Sequence, residues 1–194
     1  MIGEMIMKKT LIIVLLVLFS VSLMGADKSD DKKFFLSVNV NLLSPADGNY
    51  KDIYGSTVVY PGIEIGFRVF NKIYLLAGYE KISNDGKTPI LDEIAKSTQN
   101  ISYFGLRYRG SFSDKFGYLA ELGGSSFSYK EEAFGEVVKG SKIGFFLNGG
   151  IDYDLGERFF VTFIIGYSSA SDNIEGVKIK FGGLKSSLGF GIKF

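Results

Sequence analysis

The last eight residues, "SLGFGIKF" (187–194), show an alternation of apolar and small or charged residues that recurs along the chain. Successive side chains of a β-strand point to opposite faces of a sheet, so alternation in the sequence shows what each face contacts. The segment also ends on a large aromatic residue, in a position where ordinary domains tend to fray. One face is fully apolar, with Leu188, Phe190, Ile192 and Phe194, and the other is small or charged, with Gly189, Gly191 and Lys193.

The same alternation recurs along the chain in about eight runs of roughly ten residues, separated by turn residues. Glycine is abundant at 25 residues, aromatic residues make up 15% of the chain, and there are only 3 prolines. This composition favours strands over helices. In the first run, Phe34, Leu36, Val38, Val40 and Leu42 share the apolar face, opposite Ser37, Asn39 and Asn41.

The links between the runs alternate between short and long. Three are short, "NK", "SFSDK" and "DLGER", and four are longer, "SPADGNYKDIYGST", "SNDGKTPILDEIAKST", "KEEAFGEVVKGSK" and "SDNIEGVK". Tight turns at one end and longer loops at the other are typical of outer-membrane barrels. The pattern predicts an all-β chain that forms a closed, antiparallel, up-and-down transmembrane β-barrel of eight strands. Its short turns are periplasmic and its longer loops extracellular.

The N-terminus has the features of a secretory signal peptide. "MKK" (7–9) precedes the apolar run "TLIIVLLVLFSVSLM", and Gly25 and Ala26 come before a polar stretch. The clean apolar run spans roughly 14 residues, short of the ~20 that a membrane-spanning helix needs. We therefore predict a cleaved signal peptide over 1–26 and a single barrel domain over 27–194. The alternative is an uncleaved single-helix anchor.

The less apolar face of the runs is rich in glycine and in charges of both signs. In a narrow lumen these charges must pair, because an isolated buried charge costs several kcal/mol. We expect contacts such as Glu64–Arg68, or contacts of either residue with Arg107 or Glu121. The network either fills the lumen as a static polar core or acts as a gate that opens when partners change. Its predicted members are Glu64, Arg68, Glu80, Arg107, Arg109, Glu121 and Asp152.

The mature chain resembles the small eight-stranded outer-membrane barrels of the OmpX type and the OmpA transmembrane domain, at the level of a superfamily. The sequence segments on which the resemblance rests are "GLRYRG", "GGIDYDLGERF" and "LGFGIKF". The resemblance implies a bacterial outer-membrane location in contact with lipid. It also implies that the barrel-insertion machinery reads the C-terminal strand, here through Phe190, Ile192 and Phe194.

The residue inventory argues against catalysis and metal binding. The chain contains no histidine and no cysteine. Outer-membrane barrel enzymes use histidine as a base or as the partner of a base, and transition metals prefer histidine and cysteine ligands. Basic and acidic residues nearly cancel, at 22 and 21, so a nucleic-acid partner is not expected. We predict no enzyme activity, no cofactor and no metal.

One long link carries a helix signal. In "TPILDEIAKS" (88–97), Pro89 occupies a helix-start position and acids follow in the first turn. We predict one or two helical turns here, serving either as a contact surface or as a cap on the strand ends.

The function predicted from these features is a monomeric, non-enzymatic outer-membrane protein with a membrane-structural or adhesion-like surface role. An extracellular partner would be reached through the loops. The first alternative is a small passive porin-like channel. The second is a soluble periplasmic carrier of the lipocalin type, whose apolar face would point inward.

Overall fold

The chain folds into a closed barrel in which each strand pairs with the next and the last strand pairs with the first. The computed structural model describes residues 32–89, 91–174 and 176–194, so the predicted signal peptide, 1–26, lies outside the described residues. Within those residues, no helix combines the length and the hydrophobicity needed to cross a membrane. The elements are β1 (Phe34–Pro45), α1 (Gly48–Tyr54), β2 (Val58–Phe70), β3 (Ile73–Lys87), β4 (Ile94–Ser111), β5 (Phe116–Ala133), β6 (Glu136–Asp154), β7 (Phe159–Ile174) and β8 (Val177–Lys193).

Closure joins β1 to β8 over an antiparallel register that runs from Phe35–Lys193 to Pro45–Gly183. A closed sheet leaves no edge strand, so the backbone N–H and C=O groups along every strand find partners within the barrel. This is the arrangement that a β-sheet needs in order to cross a lipid bilayer. The predicted fold, an eight-stranded antiparallel up-and-down barrel, is confirmed.

The two ends of the barrel are built differently. The short-turn end, which is periplasmic, joins β2 to β3, β4 to β5 and β6 to β7 through the three predicted turns. At the extracellular end the strands continue into the predicted loops. β5 and β6 have 18 and 19 residues, well beyond the ~9–11 that a transmembrane strand needs. Only Phe134 and Gly135 separate these two strands.

The predicted helix over 88–97 is wrong. β3 continues to Lys87 and β4 begins at Ile94, and these two residues are paired in the sheet. A short isolated helix is marginal, so continued strand pairing outweighs the local helix signal. The helix instead lies in the link between β1 and β2. It starts after Asp47, whose side chain accepts a hydrogen bond from the backbone N–H of Tyr50 at 3.2 Å.

The barrel wall is apolar outside and polar or tightly packed inside. On the outer face, Val38 and Ile65 are 56% and 52% exposed, whereas on the inner face Glu64 and Arg107 are 4% and 3% exposed. A water-soluble carrier barrel would have the opposite arrangement. The exposed apolar wall is the surface that a lipid bilayer covers, so this barrel is a transmembrane one.

Candidate functional site

The lumen is filled by side chains. An apolar cluster occupies its extracellular half and a smaller aromatic cluster lies nearer the periplasmic end. On β3 a charged residue, Glu80, stands between the two clusters, which include Ile82 and Leu76 on that strand. The upper cluster contains Leu43, Val58, Tyr60, Ile82, Ile101, Phe127, Tyr129, Ala170 and Phe181, and the lower one contains Phe35, Leu76, Phe146 and Phe160.

Arg107 is the centre of the buried charge network. Its guanidinium forms ion pairs with both Glu64 and Glu121, and its Nε donates to Glu121 Oε1 at 2.6 Å. The remaining carboxylate oxygens accept hydrogen bonds from Asn148 Nδ2 at 2.7 Å and from the Tyr103 hydroxyl at 3.1 Å. The three charged side chains are at most 5% exposed. Such burial is tolerable because each charge has an opposite charge and further hydrogen bonds.

A second buried pair joins Glu80 to Lys185, whose Nζ donates to Glu80 Oε1 at 2.7 Å. The Lys185 ammonium also lies 5.6 Å from the ring centroid of Tyr103. Lys185 was not among the residues predicted from the sequence. The alternation of β8 was a usable signal, because it puts Lys185 on the same face as Gly189.

A separate cluster of charged side chains lies near the periplasmic mouth. Arg109 forms ion pairs with Asp152 and with Asp154, the latter at 3.1 Å, and Lys193 forms an ion pair with Asp154. Apart from Asp152, these side chains are 15–28% exposed, so water reaches this cluster more readily than it reaches Arg107. Asp154 was not among the residues predicted from the sequence.

Of the contacts expected for Glu64 and Arg68, the structure contains the ion pair between Glu64 and Arg107. Arg68 lies four residues further along β2 toward the periplasmic end, half-buried, and its backbone N–H donates to the carbonyl of Lys33 at 2.7 Å. The sequence could place both residues on the inner face, but the choice of partner depends on the stagger between strands.

Helix α1 covers the extracellular mouth and is held by polar contacts with several strands. The Tyr54 hydroxyl donates to Glu131 at 2.8 Å, and Asn84 donates to the Tyr50 hydroxyl at 3.1 Å. Asp47 accepts a hydrogen bond from the backbone N–H of Lys180 on β8 at 2.9 Å. Burial raises the pKa of Tyr50, and burial together with the Glu131 carboxylate raises the pKa of Tyr54. Both phenols therefore remain protonated at neutral pH.

The tip of the β5–β6 hairpin is exposed and conformationally unusual. Phe134 and Gly135 both have positive φ, 54° and 77°, which is the pattern of a type I′ turn. Glycine adopts this conformation freely, but a bulky residue does so at a cost. The Phe134 ring is 58% exposed, and the neighbouring Val137 and Val138 are 51% and 38% exposed.

The C-terminal strand presents its predicted apolar residues to the outer wall. Phe190 is 47% exposed and stacks against Phe159, with 5.8 Å between ring centroids. Ile192 follows on the same face, and Phe194 comes directly after the last residue of β8.

No metal-binding group of three or more carboxylate, histidine or cysteine side chains occurs in the described part of the chain. Three features of the barrel bear on its function: the lumen is filled and its charges are paired, α1 covers the extracellular mouth, and the tip of the long β5–β6 hairpin is apolar and exposed.

Comparison with known proteins agrees with this architecture. No protein-family model matches the chain, and no curated protein matches its sequence. The solved structure of outer membrane protein OprG from Pseudomonas aeruginosa is similar over 84% of this chain and 96% of that protein, with a TM-score of 0.64 and 17% identity. Neisserial surface protein A is similar over 83% and 97%, with a TM-score of 0.60 and 14% identity.

A third similar structure is Ail, the attachment invasion locus protein of Yersinia pestis. The similarity covers 84% of this chain and all of Ail, with a TM-score of 0.55 and 14% identity. At these identities the comparisons bear on the fold. Together with the apolar outer wall, they show that the chain has the fold of the small eight-stranded β-barrels of the bacterial outer membrane.

Proposed function

We propose that this protein is a non-enzymatic outer-membrane surface protein that binds an extracellular partner through its long hairpins while its lumen stays closed. The observation that carries the proposal is the β5–β6 tip. There Phe134 is held in a left-handed backbone conformation, with most of its ring exposed to water.

A type I′ turn is most easily formed by Asn-Gly or Gly-Gly. Phenylalanine at its first position costs of order 1–3 kcal/mol in backbone strain and also exposes an aromatic ring. Val137 and Val138 extend the apolar tip along β6. Exposed apolar groups on an otherwise polar extension are typical of a protein-binding surface.

The similarity to Ail fits an adhesion-like role, since that protein is described as an attachment invasion locus protein. Ail has also been solved with the heparin analogue sucrose octasulfate. In our proposal this chain differs in its ligand preference, because its two longest extracellular links are acidic. Residues 46–57 and 88–93 together hold four carboxylates, Asp47, Asp52, Asp92 and Glu93, and one cation, Lys51. We therefore propose recognition through apolar contacts rather than capture of a sulfated polymer.

The test is attachment of bacteria that express the protein to cultured epithelial monolayers. We expect expression to increase attachment and Phe134→Asn to remove most of the increase. Asn-Gly is the preferred sequence for this turn, so the variant should fold at least as well. The control is Phe112→Asn, which removes a similarly exposed ring, 70% exposed, from the periplasmic end. Equal attachment by wild type and Phe134→Asn would overturn the proposal.

The second candidate function is a small channel gated by the central charges. Its supporting observation is an imbalance, since three carboxylates, Glu64, Glu80 and Glu121, share two cations, Arg107 and Lys185. A change of partners could rearrange the lumen. Single-channel recording in planar bilayers separates the two candidates. A filled lumen gives no stable current, whereas a gated channel gives discrete steps that Arg107→Met would alter.

Three further assignments belong to this proposal. Residues 1–26 act as a signal peptide that is removed on export, which mass spectrometry of the mature protein would check.

The barrel works as a monomer. Phe190, Ile192 and Phe194 form the signal read by the insertion machinery, so replacing all three with serine should reduce the amount of folded protein in the outer membrane.

A further inference from the structure

Each of the four strands that start at the periplasmic end is preceded directly by a basic residue. The pairs are Lys33–Phe34, Lys72–Ile73, Lys115–Phe116 and Arg158–Phe159, at the starts of β1, β3, β5 and β7. We name Lys33, Lys72, Lys115 and Arg158 the rim cations. Lys33 precedes the first strand, Lys72 ends a turn of two residues, and Lys115 and Arg158 each end a turn of four residues.

The rim cations occupy equivalent positions in the four hairpins. The backbone carbonyl of each accepts a hydrogen bond from the N–H of a residue near or at the end of the neighbouring strand. The N···O distances are 2.7 Å for Lys33 with Arg68, 2.9 Å for Lys72 with Arg109, 2.8 Å for Lys115 with Asp154, and 2.7 Å for Arg158 with Lys193. The four residues therefore form a ring around the periplasmic end.

The side chains of the rim cations are all exposed, in contrast to the paired charges just inside the mouth. The inner carboxylates, Asp152 and Asp154, already pair with Arg109 and Lys193. Together, the three turns and residues 27–33 hold six basic and five acidic residues, which leaves a net charge of +1. The extracellular links 46–57 and 88–93 carry −3, from four acids and one lysine.

The ring lies directly below a belt of exposed aromatic side chains. Phe34, Phe116 and Phe159, the residues that follow three of the rim cations, are 47%, 51% and 46% exposed on the outer wall. Phe70 and Phe112 in the turns are 72% and 70% exposed. Aromatic belts mark the boundary between the hydrocarbon and the headgroups of a bilayer. The long side chains of the rim cations therefore reach the level of the lipid phosphates.

We propose that the rim cations bind the phosphodiester groups of anionic phospholipids in the periplasmic leaflet and so fix the height of the barrel in the membrane. The lysine ammonium groups and the Arg158 guanidinium donate hydrogen bonds to phosphate oxygens while the adjacent aromatic rings contact the acyl chains. This surface is separate from the extracellular tip, so the two proposals can fail independently.

The test uses the full mature chain folded in detergent micelles that contain phosphatidylglycerol, with bound lipid counted by native mass spectrometry. The variant is K33Q/K72Q/K115Q/R158Q. The matched control is K81Q/K96Q/K139Q/K178Q, which removes four exposed lysines from the extracellular half. Folding of each protein is checked by circular dichroism. We expect the rim variant to bind phosphatidylglycerol at least about tenfold more weakly, since each cation near an anionic surface contributes to binding. The control should bind as the wild type does.

Three results would overturn the proposal. The first is undiminished lipid binding by the rim variant, and the second is equal weakening by both variants, which would indicate general charge attraction. The third is displacement of the lipid by low-millimolar inorganic phosphate, which would indicate a site for a free anion. A direct check is solid-state NMR of the protein in lipid vesicles, which detects lysine ¹⁵Nζ nuclei close to lipid ³¹P by the dephasing of their signals. We expect this dephasing in wild type and much less of it in the rim variant.

Discussion

The inner and outer faces of the barrel wall place adjacent residues in opposite environments. On β5, Glu121 is 1% exposed inside the lumen, whereas Leu122 is 60% exposed on the lipid-facing side. The next two residues repeat the contrast, because a Cβ on Gly123 would meet crowded neighbours, whereas one on Gly124 would have no neighbour closer than 3.9 Å. The difference teaches that tolerance to substitution depends on the face of the strand rather than on its position along the barrel.

The largest expected effect is on the inner face, at Arg107. Arg107→Met leaves Glu64 and Glu121 buried without their cation, and breaking such a buried pair costs about 3–5 kcal/mol. We expect this loss in the free energy of unfolding, measured by urea titration in lipid vesicles with circular dichroism.

The control for that measurement is Lys193→Met. Its partner Asp154 is 28% exposed and keeps Arg109, so the loss should be clearly smaller. Equal losses for the two variants would show that burial does not separate the two clusters.

The second expected effect is on the outer face. Leu122→Arg puts a charge into the apolar band, where Arg costs about 2–4 kcal/mol near the bilayer midplane. Ser128→Arg puts the same charge on the same face of β5, six residues closer to the extracellular end, where the outer wall is polar. We expect the first variant to unfold at lower urea concentration and the second to match wild type. If both variants matched wild type, the outer wall would not be in contact with lipid.

The third effect compares two neighbouring glycines. A Cβ on Gly123 would collide with the carbonyl oxygen of Phe104, whereas the nearest atom to a Cβ on Gly124 is 3.9 Å away. Overpacking typically costs about 1–3 kcal/mol. We expect this loss of stability for Gly123→Ala and almost none for Gly124→Ala, measured by the same titration. A larger loss at Gly124 would reverse the assignment of the two faces.

The smallest effect concerns hydroxyl groups. Tyr54→Phe removes the hydrogen bond from α1 to Glu131, and such a bond contributes about 1 kcal/mol. We expect faster hydrogen exchange of the α1 amides with little change in global stability. Tyr79→Phe removes a hydroxyl that donates to Asn100 on the exposed outer face, and should leave exchange unchanged. Unaltered α1 exchange in Tyr54→Phe would show that this contact does not hold the helix.

Alternation along the sequence was sufficient to predict the strands and the two faces of the wall, because the period of two is a local property of each strand. It could not predict which inner charges meet. Arg107 lies opposite Glu121 in the β4–β5 register, but Glu64 comes from β2, two strands away, and reaches Arg107 through the tilt of the strands. That tilt is a property of the closed barrel and leaves no local signal.

The extracellular end was predicted less well for a similar reason. The signal for a helix at Pro89 was local, whereas the pairing of Lys87 with Ile94 depends on the whole β3–β4 ladder. The true helix had a usable signal, because Asp47 stands at an N-cap position two residues after Pro45. Its docking could not be predicted, since the contacts of Tyr54 and Asp47 lie on β5 and β8.

The bond between Asp47 and Lys180 joins residues 133 positions apart, across the seam where the first and last strands meet. We expect this bond to form after β8 pairs with β1, because that pairing closes the longest loop in the chain. Ordering of the small extracellular helix should therefore indicate that the barrel has closed. Protection of α1 from protease should arise last, and only in molecules whose cylinder is complete.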